Sequence, residues 1–194
     1  MLSIRRVLLA ATFFIGATPF LAAQFPVPIV HPDDEADGPR VREIVSKYCR
    51  LDYEGDRLDP QVWAKFEPLV WWKAAPDYSK VNVVARFTVD AEPTSKNGKY
   101  TVTVHYRLLG TYDLATGYVR EPDGSTQDVD FTVTSENTEW RIADAENTLP
   151  HPSRAAMLKW LNTKLNTTTD EAAKAHYQDA LTKLQAQSAS PFAR

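Results

Sequence analysis

The chain has one cysteine, Cys49, among 194 residues. A lone thiol closes no intramolecular disulfide, so the fold rests on apolar burial whatever the compartment. Glycine is scarce, seven in all, and none lies in a phosphate-cradling loop, a dinucleotide fingerprint or a nucleophile elbow. That removes the motif-bearing nucleotide enzymes and argues against a serine or cysteine hydrolase. The histidines, His31, His105, His151 and His176, stand too far apart in sequence to place two metal ligands on one helix or turn, so neither a metal site nor a cofactor is expected. Basic residues do not dominate: 22 Lys and Arg stand against 25 Asp and Glu. Clustered cations are what contact with a phosphate backbone needs, so nucleic acid is not an expected partner.

Long hydrophobic runs are also missing, apart from a short one at the start. Val7 to Ile15, broken by Thr12, follows Arg5 and Arg6 and precedes the small residues of GATPFLAAQ. This is the layout of a secretory signal peptide over residues 1–23, cleaved after Ala23. An uncleaved anchor would need about 20 apolar residues, and Pro19 leaves a shorter run. Arg5-Arg6 partly resembles a twin-arginine signal, so the export route stays open. The expectation is an exported, periplasmic or extracellular protein with no stable membrane insertion after cleavage. Cleavage removes two arginines and no acid, which deepens the acidic excess, and the remainder suits one domain.

Residues 24–37, QFPVPIVHPDDEAD, hold three prolines and no periodicity, and read as an extended linker. Its acids beside His31 are read as solvated charge near the positive end of the next helix rather than as a cation site. That helix starts with Asp37 or Gly38 as cap and Pro39 in its first turn. Val41, Ile44, Val45, Tyr48 and Cys49 form its apolar stripe. Cys49 on that stripe reads as a small core hydrophobe, because a nucleophile needs an electropositive site and a base. Asp52, Glu54 and Asp56, around the turn at Gly55, read as solvated loop acids. A second short helix is expected from Asp59-Pro60, with Val62, Trp63 and Phe66 on one face before Pro68.

The period then changes. Val81 to Val89, Tyr100 to Leu108, Gln127 to Thr134 and Glu139 to Asp144 alternate apolar and polar residues, which predicts four strands with one dry face. Asn97-Gly98 signals a hairpin, and Gly110 a bulge or bend. Residues 111–125 read as a partly extended connection. Arg86, His105, Arg107, Asp128, Asp130 and Arg141 share the wet face, read as cross-strand ion pairs ahead of a binding site. A helix after Pro152 and another opened by a Thr168 and Glu171 capping box close the chain, with a frayed end from 186. The fold class is α+β: N-terminal helices packed on a strongly curved, mainly antiparallel sheet of four or more strands, with a C-terminal helical extension over residues 166–194.

The stretches VREIVSKYCRLDYEGDRLDPQVWAKFEPLVWW, VHYRLLGTYD and WRIADAENTLPHPS, in this element order, resemble the NTF2-like family of cone-shaped domains. More narrowly, they resemble exported bacterial members without an assigned function, over residues 38–165. The resemblance implies a bent sheet whose concave face can hold a pocket. Some relatives are isomerases, dehydratases or cyclases, and others only bind, so fold alone does not choose.

The leading expectation is a domain that binds a small apolar ligand or a protein partner without catalysis. Tyr48, Tyr53, Trp63, Trp71, Trp72, Tyr106 and Trp140 would line its pocket, although the tryptophans serve equally well as a plug. A second reading is a cofactor-independent isomerase or dehydratase. Strand parity from Trp140 and Ile142 turns Asp144 inward as its acid or base, with a tyrosine hydrogen-bonding a developing enolate, unless Asp144 merely caps the next turn. A third is a homodimer pairing through the sheet face.

Overall fold

Residues 32–144 and 149–187 are described in a computed structural model of the chain. The expected signal peptide, most of the linker, residues 145–148, where a turn was expected, and residues 188–194 lie outside them. Helix α1 (Pro32–Tyr53) begins earlier than the cap at Asp37 or Gly38. Pro32 has the fixed φ of a first helical position, so the end of the linker is helical and Pro39 lies inside the helix. Of its predicted stripe, Val41, Val45, Tyr48 and Cys49 are fully buried, and Ile44 packs half-buried against the same core. The short helix expected after Asp59 is a run of 3-10 turns, Pro60–Lys65 and Glu67–Leu69, with the Asp59 carboxylate accepting from the Gln61 N–H.

Six strands form the sheet: β1 (Lys80–Val89), β2 (Thr94–Lys96), β3 (Lys99–Asp113), β4 (Gly117–Arg120), β5 (Thr126–Glu136) and β6 (Glu139–Asp144). The order is β1-β3-β5-β6, with β2 and β4 also on β3, and all these pairs are antiparallel. Asn97 and Gly98, at φ 54 and 70, make the two-residue turn that joins β2 to β3. β3 runs past its expected end at Leu108 and returns through β4. The turn between them is held by the Asp113 carboxylate on the Ala115 and Thr116 N–H groups, and these bonds lower the Asp113 pKa. Helices α2 (Arg154–Thr167) and α3 (Glu171–Ala186) follow. Ser153 caps α2, and Asp170, rather than the expected Thr168 and Glu171 box, caps α3.

Two bulges decide which face each residue takes. Val83 pairs with Gly110 but Val84 with Leu108, leaving Leu109 extra, and Arg86 pairs with Arg107, leaving Ala85 extra. Each extra residue inverts the alternation of its strand. Val83 and Val84 are both fully buried because successive residues feed cores on opposite faces. Val84 joins α1, Phe66, Tyr106 and Phe131. Val83 joins Val81, Tyr112 and Tyr118 beneath Met157, Leu161, Leu181 and Leu184 of α2 and α3.

Both outer strands are guarded. The Asn82 and Val84 N–H groups donate to the Pro150 and Pro152 carbonyls at 2.9 and 3.0 Å, and on β6 the Ile142 carbonyl accepts from the Trp71 N–H at 3.0 Å. Such cover blunts edge-to-edge pairing. Among the described residues no helix is long and apolar enough to cross a membrane.

Gly110 sits where a Cβ would collide with the Tyr118 ring and the Val119 carbonyl. Overpacking of this kind costs about 1–3 kcal/mol, so Gly110→Ala should lower the urea midpoint with an unchanged m-value, and an unaltered midpoint would contradict this packing.

Candidate functional site

The most concentrated buried chemistry lies where α1 ends. Continuing the stripe Val41, Val45, Tyr48 by one more turn reaches Asp52, which is 1% exposed and not the solvated loop acid that its neighbours Glu54 and Asp56 suggested. The helical period held the signal: Asp52 follows Tyr48 by one turn on the same face. Its Oδ2 accepts the His151 backbone N–H at 3.0 Å and lies 3.9 Å from Arg57 Nη1 and 3.6 Å from His151 Nδ1. Arg57 also donates to the Leu149 carbonyl at 3.3 Å, and its guanidinium faces the Tyr48 ring. A carboxylate removed from water needs this kind of pairing.

A second set of bonds fixes the imidazole. The Thr111 hydroxyl donates to Asn82 Oδ1, and Asn82 Nδ2 to Gln127 Oε1. Gln127 Oε1, being an acceptor only, faces His151 Nε2 at 3.1 Å, so Nε2 carries a hydrogen. The other nitrogen faces Asp52. His151 is completely buried and stacks on Tyr106 with centroids 3.9 Å apart. Nδ1 makes no hydrogen bond, but a ring with no exposed surface offers neither nitrogen to a substrate and is a poor proton shuttle. Tyr106 in turn meets Cys49, whose Sγ is 3.2 Å from its hydroxyl. Burial pushes the thiol up to about 12, which keeps it neutral and unreactive, and burial also raises Tyr48 and Tyr106 well above the usual phenol range.

The residues named as pocket lining divide. Tyr48, Trp63 and Tyr106 lie inside the first core, while Tyr53, Trp72 and Trp140 pack against it half-buried. Trp63 stacks on Phe66, and Phe66 and Phe131 set their edges on Tyr48. Trp71 lies apart, donating to Thr134 Oγ1 at 3.1 Å beneath the Arg141 guanidinium. Asp144 does not face the core. Val133 pairs with Ile142 but Thr132 with Asp144, so the extra residue Ala143 breaks the parity on which an inward carboxylate rested. Asp144 is exposed and borders an open groove of about 610 Å³ with Lys96, Lys99, Thr101, Thr132 and Thr134. Among the described residues no group of three or more His, Cys, Asp or Glu is placed to hold a metal ion.

The outer face of the sheet carries its own pattern. Register sets Arg86 opposite Arg107 and Thr88 opposite His105 on β1 and β3, and His105 opposite Asp128 and Thr103 opposite Asp130 on β3 and β5. His105 bridges Asp128 at 2.7 Å through Nδ1 and Asp90 at 2.9 Å through Nε2. Both nitrogens must carry hydrogen to donate to two carboxylates, so the bridged ring is the imidazolium. Asp128 first and then Asp90 raise its pKa. Thr103 donates to Asp130 at 2.7 Å.

Asp52→Ala would leave Arg57 buried without its carboxylate and should cost about 3–5 kcal/mol by urea denaturation. Asp56→Ala, which removes an exposed pair with Lys65, should change stability by about 0.5 kcal/mol or less; equal losses would refute the distinction. A His105 pKa raised on folding stabilises the chain below the unfolded value near 6.5, and that contribution disappears as pH rises through the folded value. The difference in urea midpoint between wild type and His105→Gln should therefore be present at pH 5.5 and shrink toward pH 9, and a difference that grew with pH would contradict the bridge.

No protein-family model matches the chain, and no curated protein or solved structure matches it. The chemistry of its own residues is what a functional reading has to stand on.

Proposed function

We propose that the chain is an exported, NTF2-like binding domain that acts without catalysis and meets a protein partner on the polar outer face of its sheet. The observation that carries this reading is the packing of the interior. Tyr48, Trp63, Phe66, Tyr106 and Phe131, the side chains best able to line an apolar pocket, lie against one another at 8% exposure or less. A small apolar ligand would have to displace them, and close-packed cores resist that. Catalysis has equally little support, because the Asp52 carboxylate and the His151 imidazole are shut away from any substrate, the first beside Arg57 and the second on Gln127.

The outer face offers what the interior lacks. It is accessible, rigid and charged in zones, with guarded edges on either side that direct a partner to the face and away from strand addition.

Native mass spectrometry of the protein purified from its own compartment tests the reading. The expected result is a complex with a second protein chain that Asp130→Arg on the outer face dissolves. A monomer carrying a small apolar molecule would overturn it in favour of a pocket, and a complex of two copies would reassign the face to self-association.

A further inference from the structure

The two outer-face arginines are placed at odds with the stability of the sheet. Arg86 and Arg107 are directly opposite on adjacent antiparallel strands, where like charges repel. Their arrangement is not a by-product of regular alternation. Leu108 pairs with Val84, so an unbroken strand would set Ala85 opposite Arg107; the bulge makes Ala85 the extra residue and brings Arg86 there instead.

The bulge is held from both sides. The Tyr53 hydroxyl donates to the Ala85 carbonyl at 3.0 Å, the Val84 N–H donates to the Pro152 carbonyl at 3.0 Å, and the Ser153 N–H returns to the Tyr53 carbonyl at 2.8 Å. Nor does the face neutralise the pair. Asp90 and Asp128 are engaged by His105 and Asp130 by Thr103, while Glu139 lies with Arg141. Among the described residues neither Arg86 nor Arg107 makes an ion pair.

We propose that Arg86 and Arg107 together form a carboxylate-binding site, which takes an acidic side chain of the partner protein. This rests on the reading of the outer face as a partner surface and names the chemistry of that partner. Guanidinium forks match a carboxylate in bidentate geometry, and Arg107 is half-buried, which reduces screening of its charge by water. The partner is a protein on the reading above, and carboxylates are the anions its side chains carry. The nearest acid of the face itself, Asp128 on the next same-face row of the sheet, is already held by His105.

The test follows the arginine side-chain Nε–Hε signals of the full purified chain by NMR, titrated with a tetraglutamate peptide, inorganic phosphate or sodium chloride at matched ionic strength. Arg86 and Arg107 should shift together and saturate with tetraglutamate, at lower concentration than with phosphate, while chloride gives no saturation. Arg86→Ala and Arg107→Ala should each weaken tetraglutamate binding about tenfold, and Arg141→Ala should leave it unchanged. Shifts no larger than those with chloride, or tighter saturation by phosphate, would overturn the site. If the native complex with a second protein survives in the Arg86→Ala, Arg107→Ala double variant, the carboxylate site is wrong and the partner surface stands. Saturable tetraglutamate binding without any native protein complex would keep the site and remove the partner surface.

Discussion

A carboxylate buried at the end of a helix sets the terms for everything around it. Asp52 is taken out of water, where a carboxylate needs partners, and it draws one from the adjoining turn and one from beyond the last strand. Arg57 arrives through the turn at Gly55, whose positive φ of 89 reverses the backbone there, and the His151 N–H arrives from the far side of the sheet. Once His151 is held, Pro150 and Pro152 lie along β1 and accept its free N–H groups. Ser153 then caps α2, which sets the direction in which α2 and α3 cover Val81, Val83 and Tyr112. One buried charge thus joins the first core, the sheet edge and the second core.

The interior and the exterior of the sheet divide the polar work between them. Inside, Thr111 donates to Asn82, and Asn82 and His151 both donate to Gln127 Oε1; linked bonds of this kind specify one arrangement and make alternatives costly. Outside, His105 gathers Asp90, just past the end of β1, and Asp128 of β5, which ties three neighbouring segments across the exposed side. The inner network is part-buried and ends on the fully buried His151, while the outer one is open to pH and salt.

Much of the architecture was legible in the sequence because it follows from local periods. The α1 stripe, the Asn97-Gly98 turn, the four long strands and the wet-face residues all come from repeats of 3.6 or 2 and from turn chemistry. What escaped depends on distance or on a single added residue. The α1 start was hidden by prolines that read as linker, and β4 by a polar stretch without alternation. Asp144 was assigned to the wrong face because the parity rule fails past Ala143. Asp52 was within reach of the helical period but carries a charge, and its partners Arg57 and His151 are brought to it only by the fold. A bulge was legible near Gly110, but the pairing of Arg86 with Arg107 depends on Ala85 being the extra residue of β1, which no turn residue in that strand signals.

The guards of the two outer strands lie at opposite ends of the sheet in sequence. Val70 and Trp71, which cover β6, precede all the strands, whereas Pro150 and Pro152, which cover β1, follow all of them. A chain growing from its N-terminus therefore completes its strands before it has the means to close β1 or to give Asp52 the His151 N–H. Both needs are met together by one short segment, so the order of synthesis leaves the final closure of the structure to residues made after the sheet itself. Bringing His151 to Asp52 closes a long loop, whose entropic cost grows slowly with its length.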